Sequence, residues 1–311
     1  MSFAIHNPVE HYFQVSELHR IRVLEAGNPS GPCVLFVHGG PGSGVNTDWI
    51  DYLNCEHYRV ILIDQRGAGK STPLGELAEN TLTDLINDIE LVRQQLNVEN
   101  WYITGGSWGS VVALSYAIKF PHHTLGLIIR GVFLGSRSEI DWLYAPGGAS
   151  RFYPDVWARF TLNNQLDNQV VIFKHYLQAL NNKHAQISQD AAYRWMEWAS
   201  ISMFGLPDFN ALSPTDLKKL QAKARIMCHY LSQNCFLPSE DFIISSAHLI
   251  KTIPTWVIQG RADLICPPDT IWRFAQAHGN TRVKFLEGIG HAPAALETRE
   301  ALRDIFESLK R

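Results

Sequence analysis

The chain has 311 residues, of which 46% are hydrophobic and 18% charged, and its formal net charge is −3. A mildly acidic chain without runs of like charge is not typical of a protein that binds nucleic acid or an acidic membrane. The length is sufficient for one large domain with an insertion, or for two domains, and such a core needs no metal or disulfide for stability.

The N-terminus and the cysteines indicate the compartment. The first 13 residues lack a basic patch followed by an apolar core, so we expect no signal peptide, and no apolar run approaches the roughly 18 residues of a membrane span. The cysteines are odd in number, scattered, and without a CxxC pattern. We therefore expect neither a disulfide framework nor a zinc site, and a cytoplasmic location.

Short apolar runs alternate with amphipathic stretches along the first 132 residues. The predicted strands are CVLFV, YRVILID, WYITGG and LGLIIRGV, and the predicted helices include LTDLINDIELVRQQL and SVVALSYAIKF. The alternation resumes near residue 246 with TWVIQG, RVKFLEG and REALRDIFESLK. Continuous apolar strands alternating with helices predict an α/β fold with a mostly parallel, doubly wound sheet covered on both faces.

The segment between these two parts differs in composition and in hydrophobic pattern. Residues 133–245 are rich in Trp, Tyr and Asn and show no strand–helix alternation. We predict an α/β core formed by residues 1–132 and 246–311, interrupted by a helical lid formed by residues 133–245.

The stretch DQRGAGKST, residues 64–72, ends like a nucleotide-binding P-loop. The P-loop pattern G-x-x-x-x-G-K-[ST] requires a glycine at position 64, which is Asp64 here, and a helix directly after the loop. Neither requirement is met, so we interpret Lys70 as a solvated loop lysine.

Residues 105–109, GGSWG, match the nucleophile-elbow pattern G-x-S-x-G. They follow a predicted strand and precede a predicted helix, which is the context that this motif requires. Ser107 is therefore the candidate nucleophile; the alternative is a helix-capping serine in a Gly-rich loop. Because residue 107 is a serine, the sequence excludes the aspartate nucleophile of epoxide and haloalkane hydrolases.

A serine nucleophile needs a base, and the base needs a carboxylate. In this motif's fold the chain order is Ser, Asp or Glu, then His. Asp263 follows the strand TWVIQG and His291 follows the strand in RVKFLEG, so both fall at the same sheet edge as Ser107. The alternative for Asp263 is a turn or cap residue, although Asp269 is the better cap candidate.

The oxyanion of a tetrahedral intermediate needs two backbone donors. The residue after the nucleophile, Trp108, supplies one, and the loop HGGPG, residues 38–42, supplies the other through Gly40. We interpret His38 as a residue that organises this loop and not as a base.

Together, HGGPG, DQRGAGKS, GGSWGS, LIIRGVFLG, GRADLICP and GHA resemble the prolyl aminopeptidase (proline iminopeptidase) branch of the α/β-hydrolases. The resemblance runs from about residue 12 to the C-terminus. It implies the α/β-hydrolase fold and release of an N-terminal proline from peptides without any cofactor, and we expect no metal. It also implies a small apolar proline pocket, at Phe133, Tyr144 and Cys266, and a lid-organising role for Arg130 through a carboxylate.

The chain departs from the family where the family holds the substrate's ammonium with two lid glutamates. The pattern W-x-x-W-E reads Trp195 to Ala199 here, and A-R-I-E-x-H-Y has Met227 at the position of the acid. Glu197 lies two residues before the expected acid, about 200° away on a helix, so it would replace the acid only after a register shift. Otherwise it is a solvated helix glutamate.

Three functions remain open. The first is a prolyl-aminopeptidase-like serine hydrolase, and the second is an esterase or amidase for small uncharged acyl groups, favoured by Ala199 and Met227. The third is a catalytically silent ligand-binding module, against which the complete set of Ser107, Asp263 and His291 argues. The expected partner is a small molecule or short peptide, and no feature indicates an oligomeric state.

Overall fold

A single eight-stranded sheet forms the centre of the molecule. The computed structural model describes residues 8–201, 212–292 and 295–310. The strands are β1 (Val9–Gln14), β2 (Arg20–Gly27), β3 (Cys33–Val37), β4 (Arg59–Ile63), β5 (Trp101–Ser107), β6 (Thr124–Val132), β7 (Thr255–Gly260) and β8 (Thr281–Leu286). Their spatial order is β1-β2-β4-β3-β5-β6-β7-β8.

Strands β3 to β8 are parallel to one another, and this confirms the predicted α/β class with a mostly parallel sheet. β1 and β2 were not predicted, and they pair in antiparallel fashion at one edge of the sheet. β1 is largely exposed, so it lacks the continuous apolar run by which the buried strands are recognised.

Helices cover both faces of the sheet. They are α1 (Leu82–Gln95), α2 (Trp108–Lys119), α3 (Arg137–Tyr144), α4 (Pro154–Phe160), α5 (Gln169–Leu180), α6 (Ala185–Ala199), α7 (Pro214–Ser232), α8 (Phe242–Ser245), α9 (Pro268–His278) and α10 (Leu296–Ser308). Within β3, Leu35 packs into the core on the α1 and α2 side, while Val34 and Phe36 pack on the α10 side. This alternation follows from the two-residue period of a strand, and it makes the sheet doubly wound.

The segment between β6 and β7 contains no strand in its described part and includes helices α3 to α8. An aromatic cluster joins several of these helices: Tyr144 stacks on Trp195 with ring centroids 5.2 Å apart, and Phe160 stacks on Tyr176 at 4.8 Å. The boundaries of a lid at residues 133 and 245 stay a prediction. No helix in the described ranges has both the length and the apolar character needed to cross a bilayer.

Candidate active site

Ser107 lies at a sharp turn between β5 and α2. Its backbone has φ 55° and ψ −127°, a region that residues with a side chain rarely adopt. The flanking glycines are required by close packing, since a Cβ on Gly105 would lie 2.8 Å and one on Gly109 2.4 Å from the carbonyl oxygen of Val37. Ser107 occupies the N-cap position of α2, but its side chain makes no capping hydrogen bond. The helix-cap interpretation of this serine is therefore wrong.

Asp263 and His291 form a buried pair. Oδ2 of Asp263 lies 2.7 Å from Nδ1 of His291, and the two residues are 2% and 5% exposed. They come from the loops after β7 and β8, which are neighbouring strands. Because Ser107 ends β5 at the same edge, the parallel sheet brings all three residues to one side of the molecule.

The second oxygen of the Asp263 carboxylate shapes the loop. Oδ1 accepts the backbone N–H groups of Ile265 at 3.0 Å and Cys266 at 2.8 Å. The turn role that the sequence offered as an alternative is thus real, and it coexists with the His291 contact. Asp269 lies in the first turn of α9 but makes no capping bond, so the expectation that it caps this helix is wrong.

The HGGPG loop lies against Ser107, the candidate nucleophile. A Cβ on Gly39 would come within 2.9 Å of the Gly106 carbonyl oxygen and 3.4 Å of the Ser107 Cβ, so only glycine allows this approach. Gly40 has φ 116° and borders the same cavity as Ser107. Trp108 is the first residue of α2, and an N–H at that position has no acceptor within its helix.

His38 organises this loop through both ring nitrogens. Its Nδ1 donates to the Gly39 carbonyl at 2.9 Å, and its Nε2 accepts the N–H of Gln65 at 3.1 Å. Burial lowers the pKa of His38, so the ring is neutral near pH 7, as these two hydrogen bonds require. With both nitrogens engaged, His38 has no free lone pair to act as a base.

Gly131 is a residue of this site that the sequence analysis missed. A Cβ there would lie 3.2 Å from Nδ1 of His291 and 3.4 Å from Oδ2 of Asp263, and its φ is 46°. The imidazole and carboxylate therefore rest directly on the β6 backbone. A glycine near the end of the buried strand LGLIIRGV was the available indication, since glycine in a strand often marks a close approach.

Ser107 and His291 open into a cavity of about 320 Å³. Its lining includes every residue that the resemblance assigned to substrate binding except Glu197: Arg130, Phe133, Tyr144, Ala199, Met227 and Cys266. The walls are largely apolar, and they contain no aspartate or glutamate among the described residues.

Glu197 is a partly buried helix glutamate, and its side chain is 18% exposed. It does not border the described cavity, and its carboxylate accepts hydrogen bonds from Arg159, with Nη2 to Oε1 at 2.9 Å. The pair lies near the surface, with the Arg159 side chain 46% exposed. The helical register of α6 turns Glu197 away from the cavity that Ala199 and Met196 face, which corrects its inclusion among substrate-binding candidates.

Arg130 lies beneath the nucleophile elbow. A Cβ on Gly106 would be 2.7 Å from its Cζ, so the guanidinium packs against this glycine. Burial lowers the pKa of Arg130 to about 10, and the negative charge of Asp263 opposes that shift. Arg130 therefore stays charged at neutral pH, and the negative charge of Asp263 favours this charged form.

Cys266 also lines the cavity. Burial raises the pKa of its thiol well above the ordinary value, the charge of Asp263 adds to this, and a hydrogen bond with Ser107 opposes it. Donor atoms of Asp263, Cys266 and His291 lie within 4.8 Å of one another. The set does not suit a metal, because the thiol is protonated and the other two groups are already bonded to each other.

The DQRGAGKS loop is built around its own carboxylate. Asp64 is 1% exposed and accepts the N–H groups of Val45 at 2.6 Å and Lys70 at 2.9 Å, and Nη1 of Arg22 at 3.3 Å. A P-loop would direct such amides at a phosphate. The side chain of Lys70 is 61% exposed and pairs with Glu10, as expected for a solvated lysine.

Sequence comparison places this site in a known class. A family model described as alpha/beta hydrolase fold matches residues 32–297. A haloalkane dehalogenase variant from Bradyrhizobium elkanii superposes with a TM-score of 0.66 at 14% identity, covering 97% of this chain and 98% of that one, which reflects the fold alone. The protein is thus an α/β-hydrolase.

Closer relatives narrow the assignment. A proline iminopeptidase from Arabidopsis thaliana is 37% identical over 93% of this chain and 77% of its own length. One from Neisseria gonorrhoeae is 35% identical over 96% of both chains. The chain belongs to the proline iminopeptidase family, as the sequence motifs predicted.

Proposed function

We propose that this protein is a serine hydrolase in which Ser107 is the nucleophile, His291 the general base and then acid, and Asp263 the residue that orients His291. The observation that carries the proposal is the buried 2.7 Å contact between Asp263 and His291 beside a cavity that Ser107 also borders. The backbone N–H groups of Gly40 and Trp108 would stabilise the oxyanion, where loss of one donor typically costs about 2.7–4 kcal/mol of barrier.

The reaction is acyl transfer in two steps. Oγ of Ser107 bonds to the substrate carbonyl carbon while its proton moves to His291. The bond to the leaving group then breaks, and the leaving nitrogen or oxygen takes that proton from His291. Water attacks the acyl-enzyme in the second step, His291 accepts and returns one proton, and an acid is released with Ser107 regenerated.

For the substrate, family membership supports an N-terminal prolyl peptide, the first candidate. Phe133 and Tyr144 are 5% and 2% exposed and border the cavity, and they would contact the proline ring. Arg130 would act from beneath the elbow. This candidate requires the free ammonium to bind without the two acids that the family uses.

The second candidate is hydrolysis of esters or amides with an uncharged acyl group. The observation in its favour is that Ala199 and Met227 both line the cavity, so an apolar surface stands where the family's pattern has carboxylates. Hydrogen bonds to a charged group contribute about 1.5–3 kcal/mol each, so two missing acids would cost a cationic substrate roughly 10²–10⁴ in affinity.

A fluorophosphonate probe tests the chemistry, and paired substrates test the specificity. We expect labelling of the wild type and none of Ser107→Ala; an unlabelled wild type would favour a silent binding module. Rates on proline 4-nitroanilide, its N-acetyl derivative and a 4-nitrophenyl ester then separate the candidates, since preference for the free amine supports the first and preference for the others the second. We also propose a reducing, cytoplasmic location, supported by five buried cysteines that form no disulfide with one another.

A further inference from the structure

The cavity contains a cation that no motif accounts for. Lys223 lies on α7, borders the same cavity as Ser107 and His291, and is half-buried. It precedes Met227 by four residues, so the two side chains are neighbours on one face of the helix. Their shared face is turned toward the reacting centre.

Helix α7 packs directly on the loop that carries Gly40. A Cβ on Gly42 would lie 3.3 Å from the Cα of Lys223 and 3.1 Å from the Cβ of Ile226. The positive charge of Lys223 also contributes to the lowered pKa of His38, which precedes this loop. Lys223 therefore lies on the cavity side of α7, next to the loop that carries the proposed oxyanion donor Gly40.

Lys223 has no ion-pair partner among residues 8–201, 212–292 and 295–310. The described cavity lining offers no carboxylate either, and its other permanent cation, Arg130, lies near Asp263. Burial alone lowers the pKa of Lys223, with no negative group opposing it. A partly desolvated charge without a counter-ion is costly, and an anion delivered by a ligand would remove that cost.

We propose that Lys223 binds a carboxylate of the substrate, so that this enzyme selects an anionic substrate where its family selects a cationic one. This inference rests on the proposed serine hydrolase and replaces the uncharged acyl group of the second candidate by an anionic one. The carboxylate can belong to the acyl part or to the leaving group, and matched substrates distinguish the two.

The acyl arm compares 4-nitrophenyl hydrogen adipate with 4-nitrophenyl hexanoate, which has a methyl group in place of the carboxylate. The leaving-group arm compares 4-hexanoyloxybenzoate with its methyl ester. Each is measured with the wild type, Lys223→Met, and Lys219→Met as the matched control. Lys219 is on the same helix, but its side chain is 62% exposed and lies 3.8 Å from Asp216.

We expect Lys223→Met to lower kcat/KM for one of the two anionic substrates by about 10- to 100-fold, the effect of one hydrogen-bonded charge. Both neutral esters should change less than about threefold, and Lys219→Met should change none of the four. The arm that responds identifies the part of the substrate that carries the carboxylate. Equal effects on anionic and neutral substrates, or no effect on any, would overturn the proposal.

A failure of the proposed Ser107 hydrolase would give a different result from a failure of the Lys223 proposal. Turnover of 4-nitrophenyl hexanoate by the wild type and its loss in Ser107→Ala test the hydrolase without reference to Lys223. One outcome is that the wild type cleaves this ester through Ser107 while Lys223→Met changes kcat/KM equally for all four substrates. In that case the serine hydrolase activity is supported and only the role of Lys223 is rejected.

Discussion

Nδ1 of His291 lies 2.7 Å from Oδ2 of Asp263, although 28 positions separate the two residues in the chain. The contact fixes which imidazole nitrogen faces the carboxylate and leaves Nε2 as the nitrogen that can serve Ser107. In the proposed reaction the carboxylate would both select the tautomer and stabilise the imidazolium that forms on His291.

Asp263→Asn should lower kcat by about 10⁴-fold, because an amide in this position favours the wrong tautomer of His291. The matched control is Asp269→Asn, since Asp269 is exposed on α9 and makes no capping bond. The assay is 4-nitrophenyl ester hydrolysis with the melting temperature recorded in parallel. A folded Asp263→Asn variant with near wild-type kcat would contradict the role assigned to this aspartate.

Gly131→Ala should reduce kcat by about 10-fold or more, because the added Cβ would sit 3.2 Å from His291 and push the imidazole out of place. Gly279→Ala is the control for backbone strain: Gly279 also has a positive φ, of 74°, but a Cβ there meets nothing within 4 Å. Both substitutions should cost about 1–2 kcal/mol of folding free energy from the left-handed backbone. Only Gly131→Ala should lose activity, and equal kcat values in the two variants would reject the steric argument.

Placing acids in the cavity should restore selection of a free amine. The triple variant Ala199→Glu, Met227→Glu, Lys223→Met exchanges one cation for two anions in the cavity lining. The ratio of kcat/KM for proline 4-nitroanilide over its N-acetyl derivative should rise by about 10- to 1,000-fold relative to the wild type. The N-acetyl compound serves as the internal control for damage to the catalytic centre, and an unchanged ratio would show that these positions do not contact the amine.

Glu139 predicts a pH dependence of stability. Burial raises the pKa of Glu139 to about 7, even though Ser136 and the N–H of Leu134 donate to its carboxylate and favour ionisation. Between its ordinary value of 4.5 and about 7, the folded state holds a proton that the unfolded state has lost. This contribution to stability is therefore complete below about pH 4.5 and disappears as the pH rises through about 7.

Glu139→Gln removes this titration. The quantity to compare is the free energy of unfolding of the variant minus that of the wild type. This difference should be about 1–3 kcal/mol more favourable to the variant at pH 8 than at pH 4.5. A pH-independent cost of the substitution would not affect the comparison. Urea unfolding at several pH values measures this difference. Glu240→Gln, at an exposed glutamate, should show no such trend. A wild-type-like pH dependence in Glu139→Gln would mean that Glu139 is ionised in the folded protein.

The buried parallel strands could be predicted, because each is a continuous apolar run whose pattern is set by local residues. The antiparallel strands β1 and β2 were missed: β1 is the edge strand and is largely exposed, and β2, although mostly buried, has charged residues between its apolar ones. Gly131 and Lys223 were missed for another reason. The glycine in the strand LGLIIRGV indicates a close approach at Gly131 but not which residues approach it. For Lys223, the neighbouring sequence does not indicate that the side chain borders a cavity built from distant segments.

The sequence by itself determined the strand–turn–helix around Ser107, the order of the three candidate catalytic residues and the uncharged residues Ala199 and Met227 at the positions where the family's patterns predict acids. These three features depend on residue types at short spacing in the chain. They can therefore be recognised from sequence motifs and from local steric rules. Only the tertiary structure decided that Glu197 pairs with Arg159, that Gly131 supports the Asp263–His291 pair, and that Lys223 borders a cavity whose described lining contains no aspartate or glutamate. Those relationships join residues far apart in the chain, and they exist only once the sheet brings its strand ends together and α7 packs across them.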